Sequence, residues 1–86
     1  MELDVRLCQK VGVSAAIVHS VIRKQCEVKG VPFEGHRFAR MSIGDINRKI
    51  PFLSARTITR ALDRLEAKGL VENRTFVGTT KWRRAL

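Results

Sequence analysis

Between Pro51 and Arg74 the chain reads PFLSARTITRALDRLEAKGLVENR, and this stretch limits the fold more than any other. Ser54 belongs to the residue types that cap helix N-termini, its hydroxyl accepting from a backbone N–H of the first turn. From there Ile58, Ala61, Leu62, Leu65 and Gly69 line up on one side at about 100° per residue. Arg56, Arg60, Asp63, Arg64 and Ala67 fall on the opposite side, with Thr57 and Thr59 on the flanks. Gly69 supplies the left-handed residue that ends many helices, and Lys68 beside it suits the negative end of the helix dipole. The spacing predicts a capped helix over 54–68, with one face for a core and a row of guanidinium groups on the other.

Upstream the signals are less even. Leu3, Leu7, Cys8 and Val11 recur at helical spacing and predict a short helix over 3–11, although the alternation Leu3, Val5, Leu7 also permits a strand. Gly12 breaks that pattern. Ser14 then reads as the cap of a longer helix, SAAIVHSVIRKQCEVKG, with Ile17, Val18, Val21, Ile22 and Cys26 facing inward and Gly30 ending it. His19 lies at the margin of that apolar face, a place for a partly buried, hydrogen-bonded histidine rather than a ligand or catalyst. GVPFEGH over 30–36 carries two glycines and a proline and reads as a loop. His36 to Met41 reads as a short edge strand with Phe38 facing inward. Ser42 with Asp45 three residues on is an acidic variant of the capping box, placed ahead of Ile43, Ile46 and Ile50. Pro51 closes the resulting helix of barely two turns. A short capped helix, a tight turn and a longer capped helix with a basic outer face make a helix-turn-helix.

After Gly69 the pattern changes to strand. Leu70 to about Phe76 forms one arm, Gly78, Thr79 and Thr80 a tight turn, and Lys81 to Leu86, with Trp82, the returning arm of a β-hairpin. Arg83 and Arg84 read as solvated, since alternation puts only one of them on each face. From Ser54 onward eight basic residues stand against three acidic ones, which places five of the nine net positive charges in this part of the chain. So large an excess on 86 residues favours a polyanionic partner, whether DNA, RNA or an acidic membrane surface.

The length allows one domain, 1–86, whose core is shared among nearly all its elements and is mainly aliphatic, since only 6% of residues are aromatic. No stretch nears the roughly 20 apolar residues that span a bilayer, and the N-terminus carries no apolar core of a signal peptide. Cys8 and Cys26 each fall on the apolar side of a predicted helix and behave there as small hydrophobes, which suits a reducing cytoplasm. Cys8, Cys26, His19 and His36 share no ligand spacing, so no metal or other cofactor is expected. The chain also lacks a Gly-rich phosphate loop, an acid-base carboxylate pair and a Cys/His dyad by spacing, and an enzyme is not expected.

The predicted order of helix, helix, strand, short helix, longer helix and two-stranded hairpin is similar to the winged helix-turn-helix domain. The fold class is therefore α+β, mainly α, with three or four helices, a C-terminal two-stranded wing and a short third strand. LSARTITRALDRLEAKGLVENR looks like the recognition helix and first wing strand of that superfamily, and MarR-type regulators carry a comparable Ser-x-x-Thr, Arg, Leu-x-x-x-Gly-Leu-Val pattern. GVSAAIVHSVIRKQCEVKG followed by GHRFARMSIGDINRKIPFLSARTITRALDRLEAKGLV resembles the N-terminal winged-helix domain of phage replication initiators and replisome organisers. It departs from them at Arg23 to Gln25, where those domains usually carry aromatic residues.

The resemblance implies double-stranded DNA as partner, in replication initiation or transcription regulation. The helix from Ser54 would lie in the major groove with its N-terminal half nearest the bases. Arg56 and Arg60, one turn apart, would reach guanine edges or phosphates. Thr57 and Thr59 would touch phosphate or thymine, Ser54 a phosphate oxygen at the positive helix end, and Arg64 the backbone. On the wing, Arg74, Thr79, Thr80 and Lys81 would follow the adjacent phosphates or enter the minor groove. RNA binding and a protein-interaction role are the alternatives. A monomer or weak homodimer is expected, since only residues 3–11 are left over to build a dimer; further domains or replication proteins are the alternative partners.

Overall fold

The computed structural model describes residues 5–74 and 82–86. Four helices, α1 (Val5–Val11), α2 (Val13–Lys29), α3 (Ile43–Lys49) and α4 (Ala55–Ala67), pack beside four short strands, β1 (Val31–Phe33), β2 (His36–Arg40), β3 (Val71–Arg74) and β4 (Trp82–Ala85). The strands form one antiparallel sheet in the order β1-β2-β4-β3. This is an α+β, mainly α arrangement with winged-helix topology.

The helix boundaries follow local chemistry. Ser54 caps α4 by accepting from the Thr57 N–H. At the other end the Leu70 N–H reaches the Leu65 carbonyl and the Gly69 N–H the Glu66 carbonyl, with Gly69 at φ +71°, a Schellman closure. Ser42 and Asp45 form the reciprocal capping box of α3. The Asn47 side-chain amide donates to the Leu53 carbonyl at 2.6 Å and fixes the turn between α3 and α4.

Two helix ends differ from expectation. Ser14 does not cap α2: the helix starts at Val13 with Gly12 at the N-cap at φ +90°, in the region that favours glycine, so Ser14 already lies within the first turn. Gly30 does end α2, but in an extended rather than left-handed conformation. The reason for glycine there is space, because a Cβ at Gly30 would sit 2.1 Å from the Cys26 carbonyl oxygen. Arg37 completes that end, donating from Nε to the Cys26 carbonyl and from Nη2 to the Gly30 carbonyl.

The segment 30–36 is not a loop. Val31 to Phe33 pairs with His36 to Phe38, joined by Glu34 and Gly35 with φ +51° and +81°, a two-residue turn of the primed kind that matches strand twist. Pro32 sits on this outermost strand, where the missing N–H costs no inner ladder bond.

The core is aliphatic. Ile58, Ala61, Leu62 and Leu65 of α4 are buried against Val18, Val21 and Ile22 of α2, with Ile46, Ile50, Met41 and Val71 closing the remaining sides. Each fully buried Ile or Leu contributes about 1.5–3 kcal/mol, so the α4 stripe alone holds the helix in place. Phe38 is 1% exposed yet does not join this cluster. Ala39, its neighbour, faces the helices, so Phe38 points to the other side of the sheet, where Arg74 and Arg84 cover its ring at 5.7 and 5.6 Å from the centroid. Phe38 is thus buried as expected, but on the sheet face that carries Arg74 and Arg84 and not in the helix-packed cluster. Among the described residues no helix is long and apolar enough to cross a membrane.

Candidate nucleic-acid interface

Helix α4 carries its basic residues where the 3.6-residue period puts them. Burying Ile58, Ala61, Leu62 and Leu65 turns Arg56 and Arg60 outward, and both are exposed. Among the described residues no hydrogen bond or ion pair engages either guanidinium. Their planar donor forks are therefore available for bidentate contact with a base edge or a phosphate.

The hydroxyls beside them divide into two states. Ser54 Oγ accepts from the Thr57 N–H at 3.2 Å and donates to Thr57 Oγ1 at 3.0 Å. That commits Ser54 to the cap and leaves the Thr57 hydroxyl proton for an outside acceptor. Thr59 donates back to the Ala55 carbonyl at 2.9 Å, so it offers only lone pairs outward.

Arg64 is placed differently from expectation. Its Nη1 donates to the Val11 carbonyl at 3.0 Å, which ties α4 to the last residue of α1 rather than leaving the side chain on the arginine row. Gly12 stands next to this contact, where a Cβ would lie 3.4 Å from Arg64 Nη1.

The described part of the wing is largely occupied by its own ion pairs. Arg74 bridges Glu34 at 2.7 Å and Glu72 at 3.2 Å, and Arg84 meets Glu72 from the neighbouring strand at 3.1 Å. Loss of water around Glu72 pushes its carboxyl up, but the hydrogen bonds and charges of Arg84 and Arg74 outweigh this and hold it below the usual glutamate range. The hydrogen bond to Glu34, then that to Glu72, raises Arg74 further above its ordinary value.

Arg83, expected to be solvated, is 6% exposed. It pairs across the sheet with Ala39 and Asn73, on the face toward the helices. Its Nε donates to the Met41 carbonyl at 3.1 Å and its Nη1 to Asn73 Oδ1 at 2.7 Å, while the Asn73 amide donates to Glu66 at 2.6 Å. Desolvation lowers Arg83 from its ordinary value, opposed by the charge of Glu66, and an arginine stays protonated throughout the working pH range. Arg84 too is half-buried rather than solvated. Thr79, Thr80 and Lys81, together with the hairpin turn, lie outside the described residues.

One exposed residue was not singled out from the sequence. Phe52, in the turn before the α4 N-cap, is 70% exposed. Its neighbour Leu53 packs against the core, which turns Phe52 toward solvent beside the first turn of α4. The signal was the Pro51-Phe52-Leu53 sequence itself, since two adjacent residues in so tight a turn cannot both face one core.

His19, 9% exposed, holds its Nε2 3.2 Å from the Leu86 carbonyl. Cys26 is buried and donates its Sγ–H to the Arg83 carbonyl at 3.3 Å, and Cys8 is a free thiol as well. Among the described residues no three His, Cys, Asp or Glu side chains come together as a metal site. The chain matches no protein-family model, no curated protein and no solved structure.

Proposed function

We propose that this domain binds double-stranded DNA with the N-terminal half of α4 in the major groove. The observation that carries the reading is the pair Arg56 and Arg60, exposed one turn apart on the face opposite a fully buried stripe. A groove about 12 Å wide admits a helix, and two arginines at this spacing reach neighbouring guanine edges or one edge and one phosphate. Thr57 donates to a phosphate at the helix start, where the free N–H groups of the first turn reinforce it. Phe52 adds apolar contact with a sugar or a thymine methyl group. The wing contributes mainly through Thr79, Thr80 and Lys81, because Arg74 is shared between two carboxylates. Resemblance to phage replication initiators and MarR-type regulators points to replication initiation or transcription regulation in the cytoplasm, by a monomer or weak dimer.

Competition binding tests this reading. A labelled duplex is displaced by unlabelled duplex DNA, by single-stranded DNA of the same sequence and by a structured RNA hairpin. The reading expects duplex DNA to compete best. Stronger competition by the hairpin would make the domain an RNA-binding one, and no retention of the labelled duplex would leave protein interaction.

A further inference from the structure

Away from α4, two adjoining concavities lie between α2, the end of β2 and α3. They share Val21, Gln25, Lys29 and Lys49 as lining residues. The larger, about 720 Å³, continues along α2 past Lys24 and Val28. The smaller, about 410 Å³, reaches Arg40 and Met41. No residue of α4 lines either one.

The charge of this groove is one-sided. Its two acidic side chains are already answered, Glu27 by Arg23 at 3.7 Å and Asp45 by Arg48. Lys24, Lys29, Arg40 and Lys49 are all exposed, and among the described residues no hydrogen bond or ion pair engages their side chains. Four uncompensated cations along the two adjoining concavities, Lys29 and Lys49 lining both, raise the local concentration of a negatively charged partner.

Charge is not its only property. Val21 and Met41 close the floor, the lysine stems add aliphatic wall, and Val28 stands at the rim 58% exposed. The α2 wall from Ser20 to Lys29 is about 14 Å long, enough for about two and a half turns of a docked helix.

We propose that this groove docks an acidic protein segment with apolar side chains spaced along it, on a surface separate from α4. A duplex would touch the rim with phosphates and leave Val28 and the floor unused. Single strands are held by stacking on aromatic side chains, and no aromatic residue lines either concavity. Three of the four free cations are lysines, point charges on flexible stems that follow carboxylates at varied positions, whereas paired phosphate recognition favours the arginine fork seen on α4.

The test uses a fluorescein-labelled peptide of about twelve residues with glutamate on one helical face and leucine on the other, and a leucine-free glutamate peptide of equal length. Both are titrated by anisotropy into the wild-type chain, Lys29→Gln/Lys49→Gln, Val28→Asp and Arg56→Ala/Arg60→Ala, with a labelled duplex alongside. The leucine-containing peptide should bind wild type and Arg56→Ala/Arg60→Ala alike, and about five- to tenfold more weakly to each groove variant. The glutamate-only peptide should bind wild type markedly more weakly. Absence of peptide binding, equal binding by the groove variants, or equal binding of the two peptides would overturn the proposal. So would a loss of duplex affinity in Lys29→Gln/Lys49→Gln as large as that in Arg56→Ala/Arg60→Ala, which would make the groove a nucleic-acid surface.

Discussion

Arg64 Nη1 and the Val11 carbonyl oxygen lie 3.0 Å apart, a contact that spans 53 residues of sequence and joins the proposed recognition helix to the end of α1. The carbonyl is at the last residue of a helix, where orphan acceptors are most in need of a donor. Arg64 therefore has a structural occupation that Arg56 and Arg60 lack. Arg64→Ala should lower unfolding stability by about 1 kcal/mol, since a charged donor is lost but the side chain is partly solvated. Duplex affinity should change less than for either Arg56→Ala or Arg60→Ala. Urea denaturation and anisotropy on the same preparation check both halves.

A second arginine acts wholly within the fold. Arg83 supplies donors to the Met41 carbonyl and to Asn73, both on the inner side of the sheet. Arg83→Met should cost about 2–3 kcal/mol, because it leaves a buried carbonyl and an amide oxygen without a donor. Arg83→Lys should recover only part of that, as an ammonium cannot span both acceptors with one planar fork. The urea midpoints of the three proteins give the ordering.

The core face of α4 makes a prediction about rotation. Leu62 and Leu65 are both buried, so Leu62→Ala should destabilise by about 2–5 kcal/mol. Asp63→Ala, one residue on and exposed, should change stability by less than about 0.5 kcal/mol. Thermal melts separate these two outcomes easily.

Acid sensitivity should appear at α3. The Ser42 backbone N–H, and then its hydroxyl, hold the Asp45 carboxyl below the usual aspartate range, with Arg48 adding to the effect. A carboxyl whose folded value is depressed stabilises the fold fully above its unfolded value, near pH 4, and loses that contribution as pH falls through the lower folded value. Asp45→Asn should thus be less stable than wild type at neutral pH, and the gap should narrow progressively as pH falls below the unfolded value of about 4. Urea midpoints over a pH series from neutral into the acid range measure the narrowing.

Legibility in the sequence followed the range of the interaction. The caps at Ser42 and Ser54 and the stop at Gly69 depend on residues three to five apart, and those signals were readable. The stripe that turns Arg56 and Arg60 outward is likewise a property of one helix. β1 was missed because three residues with a proline carry no period, and only its partner β2 makes them a strand. The burial of Arg83 and the covering of Phe38 were hidden for a related reason. Both depend on β4 lying between β2 and β3, which sets which residues oppose each other, and alternation along one strand does not contain that pairing. Ser14 misled because a good capping residue stood two places after the glycine whose backbone starts the helix.

The salt dependence of duplex binding by wild type and Arg56→Ala/Arg60→Ala decides whether α4 is the DNA-binding helix. Plotted as log K against log salt, wild type should fall steeply, as phosphate neutralisation requires. The double variant should bind at least about tenfold more weakly, with a slope shallower by about one to two depending on whether one or both arginines meet phosphate. Equal affinity and equal slope in the two proteins would contradict the assignment of α4 as the DNA-binding helix.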